Sequence, residues 1–415
     1  MAKGILILAL FTAGLSGVQT ALAQISIRPS LASSQVAEAN KPAINPGQYN
    51  LELGPVFAGF SANVDVAYND NIDLSETDRK GSLIIEPGVA ANLLWQATEE
   101  NALRLNLGAG YVKYLTYPQF NSSSLTITPD SQIAFDIYVG DFKFTVFDQL
   151  SIQQNPLEII DLHQVARLLR LENAAGINVT WDLDKLILFG GYAHYIFYSF
   201  ESAYDFLNEN ENQAYVSPSV RLTDAVTVGL RGTLGNVEYQ ENFQNNSINY
   251  SAGAFATTQL TPYIRAEGEA GYQGAHYNTG GGNGDTSQLN APYFHLQLDH
   301  RLNRYWTQHL STGYETQLGL TTNYTEVFYV RYDGDWRVNS RTTASVSAYY
   351  EHSMDSPGPD QSEHINRVGV GIRWTYAIGR KANLHFSYDF VNNASDLKGY
   401  SFYQNQALLG IGYVF

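Results

Sequence analysis

The chain has 415 residues, with 40 acidic against 24 basic side chains and a formal net charge of −16. It contains no cysteine, which excludes a disulfide scaffold, a thiolate metal site and a thiol nucleophile. The acidic balance argues against nucleic acid as a partner, because proteins contact nucleic acid through basic patches. Charged residues make up only 15% of the chain, whereas 29 Tyr and 35 Gly are present, and this composition favours many amphipathic strands.

The N-terminus predicts export from the cytoplasm. Lys3 precedes the apolar run 5–11 (ILILALF), and Ala21-Leu22-Ala23 has the small-residue spacing of a signal-peptidase site. A membrane anchor is the alternative, but the run is shorter than the ~18 to 20 residues that a membrane-spanning helix needs. We therefore predict three parts in chain order: a signal peptide over 1–23, a polar periplasmic extension over 24–55 and a membrane domain over 56–415.

Apolar and polar residues alternate along the chain from residue 56 onward. In 383–390 (NLHFSYDF) every even position is apolar, and 367–376 (RVGVGIRWTY) repeats the pattern. This is the period of a β-strand with one apolar and one polar face. A soluble sandwich would hide the apolar faces in a shared core. Here aromatic residues such as Trp374 flank the apolar face near the strand ends, which is typical of a membrane barrel.

Short turns alternate with longer polar loops between these segments. Gly140-Asp141 is one such turn, and 69–81 is one such loop. We count about eighteen segments, sixteen being the alternative count, and an even number leaves both chain ends in the periplasm. The predicted fold class is all-β, a transmembrane antiparallel up-and-down β-barrel in the bacterial outer membrane.

The charged residues of the predicted strands share the face opposite the apolar one. An Arg that faced lipid at the bilayer midplane would cost ~2 to 4 kcal/mol, so we expect this face to meet water inside the barrel. Two roles stay open for these charges, namely ion-paired ladders that stiffen or plug the lumen, and selectivity for solutes. The predicted pore-lining residues are Asp65, Glu86, Arg104, Asp136, Lys143, His194, Arg221, Arg231, Arg265, Glu267, Glu269, Asp299, Glu315, Arg331, Asp333, Arg367, Arg373 and Asp389.

The third outer loop differs from the others. Residues 156–170 (PLEIIDLHQVARLLR) follow the fifth predicted strand, begin with Pro and have apolar residues at helical spacing. Two interpretations stay open. The loop folds inward and narrows the pore, by analogy with general porins, or it forms a short helix that caps the outside. The candidate constriction residues are Glu158, Asp161, Arg167 and Arg170.

The last ten residues (QALLGIGYVF) place Leu409, Ile411, Tyr413 and the terminal Phe415 on one face. This segment resembles the C-terminal signature of bacterial outer-membrane proteins, which implies the barrel assembly machinery as a partner. A buried C-terminal strand of a soluble domain is the alternative.

Several short segments resemble the β-barrel porin 2 family. They are 64–72 (VDVAYNDNI), 85–89 (IEPGV), 170–173 (RLEN) and the repeated strand-turn-strand pairs, and the likeness covers most of the mature chain. The resemblance implies an outer-membrane channel, and some members of the family lie near exopolysaccharide genes. No catalytic residue carries over from the family.

Motifs for metal binding and catalysis fail on their spacing. Asn69, Asn71 and Asp73 have the 1, 3, 5 spacing of an EF-hand, but Leu74 stands at position 6 and Lys80 at position 12. A weak divalent-cation site in this acidic loop is the alternative. Gly-x-Ser-x-Gly does not occur. We therefore predict no enzyme, no bound metal and no cofactor.

The functional prediction is a porin-like channel for passive diffusion of small hydrophilic solutes, with a preference for cations. The preference is expected from acidic residues at the first and fourth outer loops, namely Asp70, Asp73, Glu76, Asp78, Glu201, Asp205, Glu209 and Glu211. The alternatives are an outer-membrane component of exopolysaccharide export or secretion, and a structural or adhesive barrel. The expected partners are outer-membrane lipid and lipopolysaccharide, the barrel assembly machinery, and small solutes or polysaccharide. The oligomeric state and the solute stay open.

Overall fold

The computed structural model describes residues 49–159, 161–358 and 362–415. The predicted signal peptide and most of the predicted extension lie outside these residues. In the described ranges, no helix is long and apolar enough to cross a membrane.

All strands of the described ranges belong to one antiparallel sheet that closes on itself. Eighteen long strands form the barrel, which confirms the predicted fold class and strand count. Within the described residues, three short strands complete the sheet, and 3₁₀ turns lie at Pro118–Phe120, Pro156–Glu158 and Ser202–Leu207. The strands are β1 Leu51–Leu53, β2 Val56–Asn69, β3 Ser82–Gln96, β4 Ala102–Gly110, β5 Lys113–Tyr114, β6 Thr126–Ile127, β7 Gln132–Val139, β8 Phe142–Gln153, β9 Arg170–Leu183, β10 Leu186–Ser199, β11 Glu209–Thr223, β12 Val226–Tyr239, β13 Ser247–Thr261, β14 Ile264–Tyr277, β15 Leu289–Arg301, β16 Trp306–Leu318, β17 Tyr324–Arg337, β18 Thr342–Asp355, β19 His364–Ala377, β20 Ala382–Ser395 and β21 Phe402–Val414.

The barrel closes between its first and last long strands. β2 pairs with β21 from Ser61 opposite Val414 to Asn69 opposite Gln406. The backbone N–H of Phe415 donates to the carbonyl of Phe60 at 3.0 Å, so the terminal residue extends this seam. Closure pairs each of the eighteen long strands on both sides, which a membrane-embedded sheet requires because lipid offers no hydrogen bonds.

The two faces of the wall follow the alternation of the sequence. On β20, Phe386 points outward and is 38% exposed, whereas the adjacent Ser387 points inward and is 5% exposed. Outward-facing Leu, Val and Ile side chains form an exposed apolar belt around the barrel.

Aromatic side chains border this belt on both sides. All five Trp, residues 95, 181, 306, 336 and 374, lie near the strand ends that carry the short turns. At the other side, the hydroxyls of Tyr350 and Tyr388 donate to Asn366 and Asn405 on the adjacent strands, at 2.9 and 2.7 Å. An apolar belt between aromatic girdles is the surface of an outer-membrane barrel and confirms the predicted location.

Short turns connect the strands on the periplasmic side and longer loops connect them on the outer side. Gly140, at a φ of 59°, takes the left-handed conformation that the tight β7–β8 turn requires. The outer loops are L1 (70–81), L2 (111–131), L3 (154–169), L4 (200–208), L5 (240–246), L6 (278–288), L7 (319–323), L8 (356–363) and L9 (396–401).

Candidate solute channel

The inner face of the wall carries the charged residues of the strands. All of the predicted pore-lining residues except His194 alternate with outward-facing apolar residues and lie on this face. Glu351 and His385 also lie there, and the same parity argument would have found them.

The prediction for His194 was wrong. On β10, His194 shares its parity with Tyr192, which is 44% exposed, and its Nδ1 atom lies 2.9 Å from Oδ1 of the outward-facing Asn212. Ala193 and Tyr195 take the inner positions and pack in a buried apolar cluster. Because the inner face is itself apolar here, polarity cannot identify it from the sequence.

Many inner-face charges pair with charges on neighbouring strands. Asp136 on β7 accepts from Arg104 on β4 and lies 3.2 Å from the Lys143 Nζ on β8. On β17, Arg331 Nη2 lies 2.8 Å from the Glu351 Oε1 on β18. Arg231 on β12 and Glu269 on β14 also form an ion pair, which spans the intervening strand β13. Such cross-strand pairs are the natural partners of charges on one sheet face, and they make this part of the wall an ion-paired ladder.

A side-chain contact between β20 and β2 crosses the seam at which the barrel closes. The imidazole Nε2 of His385 on β20 lies 2.7 Å from Asp65 Oδ1 on β2, and the intervening strand β21 passes beneath with Gly410. A Cβ at position 410 would overlap both side chains. Glycine is therefore required for this contact.

The lumen contains a cavity of about 710 Å³. Its lining begins near the periplasmic turns at Arg304 and Val414 and ends at Asn155 and Pro156 at the base of L3. This volume lies within the ~300 to 1,000 Å³ of ordinary small-molecule sites. The barrel therefore holds solvent-sized space along its wall.

L3 crosses the lumen at the outer end of this cavity. The loop leaves the wall between β8 and β9, yet the Thr325 hydroxyl on β17 lies 3.0 Å from Asp161 Oδ2. β17 stands about half of the way around the barrel from the base of L3. The two groups therefore meet only because the loop spans the lumen.

Other contacts attach L3 to the far wall and to neighbouring loops. Leu157 packs in a buried cluster with Tyr349 and Phe402, and its carbonyl accepts from Arg367 Nη1 at 3.3 Å. Gln164 Nε2 donates to the Gly399 carbonyl in L9 at 2.9 Å. L3 is therefore attached to the far wall through Leu157 and to L9 through Gln164.

Of the two interpretations of 156–170, the short helix that caps the outside is wrong for the described part of L3. Only the 3₁₀ turn Pro156–Glu158 forms, and 161–169 is irregular. Leu157 packs toward the far wall, whereas Leu162 and Leu168 pack with Phe197 and Leu207 on the near side. The apolar residues thus serve two separate clusters rather than one helical face.

The candidate constriction residues do not face one another across a narrow opening. Asp161 lies at the far wall, Arg167 Nε donates to Glu201 of L4 at 2.7 Å, and the Arg170 Nε at the start of β9 donates to Glu172 at 2.6 Å. The side chain of Glu158 lies outside what the structure describes.

A carboxylate cluster that the sequence did not reveal holds the tip of L3. Thr325 Oγ1 lies 3.0 Å from Asp161 Oδ2 and 2.8 Å from Asp355 Oδ1, and the backbone N–H of Glu363 donates to Asp355 Oδ2 at 3.4 Å. A hydroxyl has one proton, so it cannot donate to two carboxylates, and the second contact needs a protonated carboxyl.

Glu363 of this cluster has a perturbed acidity. The pKa of Glu363 is raised to about 7, chiefly by burial and also by the charges of Asp161 and Asp396, against a hydrogen bond from Ser395 and the charge of Arg367, which lower it. The side chains come from L3, β17, β18 and L8, so no local spacing could have predicted this cluster.

The acidic residues expected at the mouth are partly neutralised. In L1, Asp70 lies 3.5 Å from Arg79 and Asp73 lies 2.6 Å from Lys80. Glu209 and Glu211 begin the inner face of β11 and are buried, so their assignment to the fourth loop needs correction. Among the described residues, no group of three His, Asp or Glu is arranged to hold a metal ion.

Comparison with known proteins finds likeness at the level of structure. No family model and no curated protein matches the chain. Similar solved structures come from Pseudomonas aeruginosa. OpdQ has 10% identity and a TM-score of 0.49, covering 87% of this chain and 97% of its own. OccK11 (OpdR) has 13% identity and a TM-score of 0.48, covering 88% and 100%. The outer membrane protein OpdK has 11% identity and a TM-score of 0.48, covering 86% and 99%. At these identities the likeness is one of barrel architecture.

Proposed function

We propose that this barrel is an outer-membrane channel through which small hydrophilic solutes diffuse passively, with a preference for cations. The observation that carries the proposal is the cavity inside the closed wall, which runs from the level of the periplasmic turns to the base of L3. We also infer membership of the β-barrel porin 2 family from the sequence resemblance.

The cation preference is supported by the cavity more than by the mouth. The cavity lining contains the carboxylates of Asp65, Glu86, Asp130, Asp335 and Asp389 against the guanidinium groups of Arg304, Arg337 and Arg373. Exposed charges act over about 10 Å at 0.1 M salt and about 3 Å at 1 M. A preference that arises from exposed charges should therefore shrink at high salt.

L3 would set the width of the path. Because Asp161 reaches the far wall, solutes would have to pass beside the loop rather than through an open mouth. The pore-lining residues that remain outside ion pairs would then bias which charges pass.

The mixed charge of the wall favours small solutes over an acidic polymer. An exporter of an acidic polysaccharide needs a basic lumen to stabilise the polymer, whereas the ion-paired ladder leaves few free cations.

We further propose that the outward-facing Leu409, Ile411, Tyr413 and Phe415 are recognised by the assembly machinery and that lipopolysaccharide surrounds the outer girdle.

Planar-bilayer recording of the refolded barrel tests the channel. We expect a conductance whose reversal potential in a KCl gradient indicates K⁺ preference at 0.1 M salt and a smaller preference at 1 M, because screening increases. Substitution of K⁺ by a large organic cation should lower the current. A correctly folded barrel without conductance in any salt would contradict the proposal and favour an export component or a structural barrel.

A further inference from the structure

Several charged side chains on the wall of the cavity lack the ion-pair partners that the charges of the ladder have. Around the cavity, the described part of the chain provides no salt bridge and no hydrogen bond for the side chains of Arg373 on β19 and Glu86 on β3. Asp389 on β20 is 6% exposed, and its Oδ1 atom is buried with no hydrogen-bond partner in the same residues. Ser387 hydrogen-bonds to Asp389, but within the described residues the cavity holds one cation and two carboxylates without an ion-pair partner.

These groups lie on one continuous strip of wall. Arg373 is opposite Ser387 in the register of β19 and β20, and Asp389 is the next inward-facing residue of β20. Such diagonal neighbours stand ~7 to 8 Å apart. The charges of Asp389, Asp65 and Asp335 all act on Arg373, and among the described residues none of these carboxylates forms an ion pair with it. A gap therefore separates the two charges.

The strip continues across the seam of the barrel. Asp65 on β2 is bound to His385 on β20 over Gly410, and Glu86 is directly opposite Asp65 in the register of β2 and β3. The groups that line this part of the cavity thus come from strands at both ends of the chain. They are brought together only when β21 pairs with β2.

Unsatisfied charges of both signs favour a ligand that carries both signs. A buried charge is costly without a partner, and removing one partner of a pair leaves that cost in place. Guanidinium groups bind carboxylates through two parallel hydrogen bonds, and carboxylates accept from an ammonium group. A solute with one charge would satisfy one side of the gap and repel the other.

We propose that the strip is a binding subsite for small zwitterions of the amino-acid class. The solute carboxylate binds Arg373, and the solute ammonium binds Asp389. This inference rests on the proposed channel function, because the subsite specifies which class of solute binds in the lumen during passage.

Calorimetric titration of the mature, refolded barrel with L-alanine tests the subsite. Propionate and ethylammonium, each with one of the two charges, are the matched probes. We expect alanine to bind at least about tenfold more tightly than either probe, because two charge-assisted contacts form instead of one. Equal affinity for the three compounds would overturn the proposal.

Variants assign the two contacts. Arg373→Gln should weaken alanine and propionate binding by at least about tenfold and leave ethylammonium binding no weaker, and Asp389→Asn should do the reverse for the one-charge probes. Arg341→Gln, in a periplasmic turn outside the cavity, is the control and should change none of them. Unchanged alanine affinity in both cavity variants would refute the assignment.

Folding and conductance separate this proposal from its alternatives. Since Arg373 and Asp389 are unsatisfied, Arg373→Gln and Asp389→Asn should give refolding yields at least equal to the wild type. Loss of folding in both variants would indicate a structural role and refute the subsite. Conductance without alanine binding would refute the subsite and leave the channel intact. Alanine binding without conductance would refute the channel and leave the subsite intact.

Discussion

The outer mouth and the inner cavity of this barrel satisfy their polar groups in opposite ways. At the mouth, Asp285 of L6 accepts from the Asn323 backbone N–H of L7 at 2.8 Å and from the Ser356 hydroxyl of L8 at 2.5 Å. In the cavity, Arg373 and Asp389 face each other across a gap. Polar groups that are fully hydrogen-bonded to one another rigidify a structure, whereas polar groups without such partners are available to bind a ligand. The difference indicates that the mouth holds its loops in place, and it is the difference that the proposed solute subsite in the cavity predicts.

The loops at the mouth form one interlocked layer. Leu162 of L3 packs with Leu207 of L4, and Leu320 of L7 packs against the same cluster. Asn245 of L5 donates from Nδ2 to Asn323 Oδ1 at 2.8 Å. Because the mouth is closed by many small contacts, the path through it should depend on the loops more than on the wall.

Deletion of 157–168 should have the largest effect on the channel. The loop is the segment that spans the lumen, so its removal should raise single-channel conductance several-fold. Deletion of 76–78 is the control, since these residues are exposed at the tip of L1 and should leave the conductance unchanged. Equal conductance in the L3 deletion and the wild type would mean that the loop does not limit the path.

Gly410→Ala should break the seam contact of the cavity. The added methyl overlaps the Asp65–His385 contact, and overpacking of this kind costs about 1 to 3 kcal/mol. The urea midpoint of unfolding in lipid vesicles measures the loss. In the control Gly232→Ala, the nearest heavy atom to the new Cβ is 3.8 Å away, so little change is expected. Equal midpoints for the two variants would contradict the close approach at position 410.

Asp285→Asn should loosen the mouth without unfolding the wall. Burial acts to raise the pKa of Asp285, but hydrogen bonds from Ser356, Asn323 and Ser287 outweigh it and hold the pKa below its usual range. A hydrogen bond to a charged group contributes about 1.5 to 3 kcal/mol, so loops L6 to L8 should become more sensitive to protease. Asp224→Asn in an exposed periplasmic turn is the control, and an identical cleavage pattern in both variants would exclude Asp285 as the link between the loops.

Raising the pH should release the tip of L3. Of the changes predicted here, this one should alter the channel least. The pKa of Glu363 is raised to about 7, so docking of L3 favours its protonated form. The stabilisation is fully present below the ordinary pKa of a Glu and decreases as the pH rises toward 7. We therefore expect conductance to increase by a small factor from pH 5 to pH 8.

Variants of the carboxylate cluster sharpen this test. Glu363→Gln and Asp161→Asn each remove one negative charge and should keep conductance low and nearly independent of pH. His352→Gln, on the outer face of β18, is the control and should respond to pH as the wild type does. A flat pH profile in the wild-type channel would show that the cluster does not control L3.

Alternation along the chain was sufficient to predict most of the barrel. Because successive side chains of a strand point to opposite faces, local order determines the strands, their number and the side on which a charge such as Arg331 or Asp389 lies. The outward-facing C-terminal residues and the periplasmic turns follow from the same local information. His194 was assigned to the wrong face because both faces of β10 are apolar near the mouth.

Contacts between distant segments decided what lies inside the barrel. The Asp161–Thr325 contact joins residues 164 positions apart, and the His385–Asp65 contact joins residues 320 positions apart. The alternation of apolar and polar residues is a property of neighbouring positions. It does not indicate which loop crosses the lumen or which strands meet at the seam. The sequence by itself therefore determined the wall, its two faces and its place in the membrane. The path of L3, the carboxylate cluster at its tip and the unsatisfied charges of the cavity exist only because the sheet closes and brings those residues together.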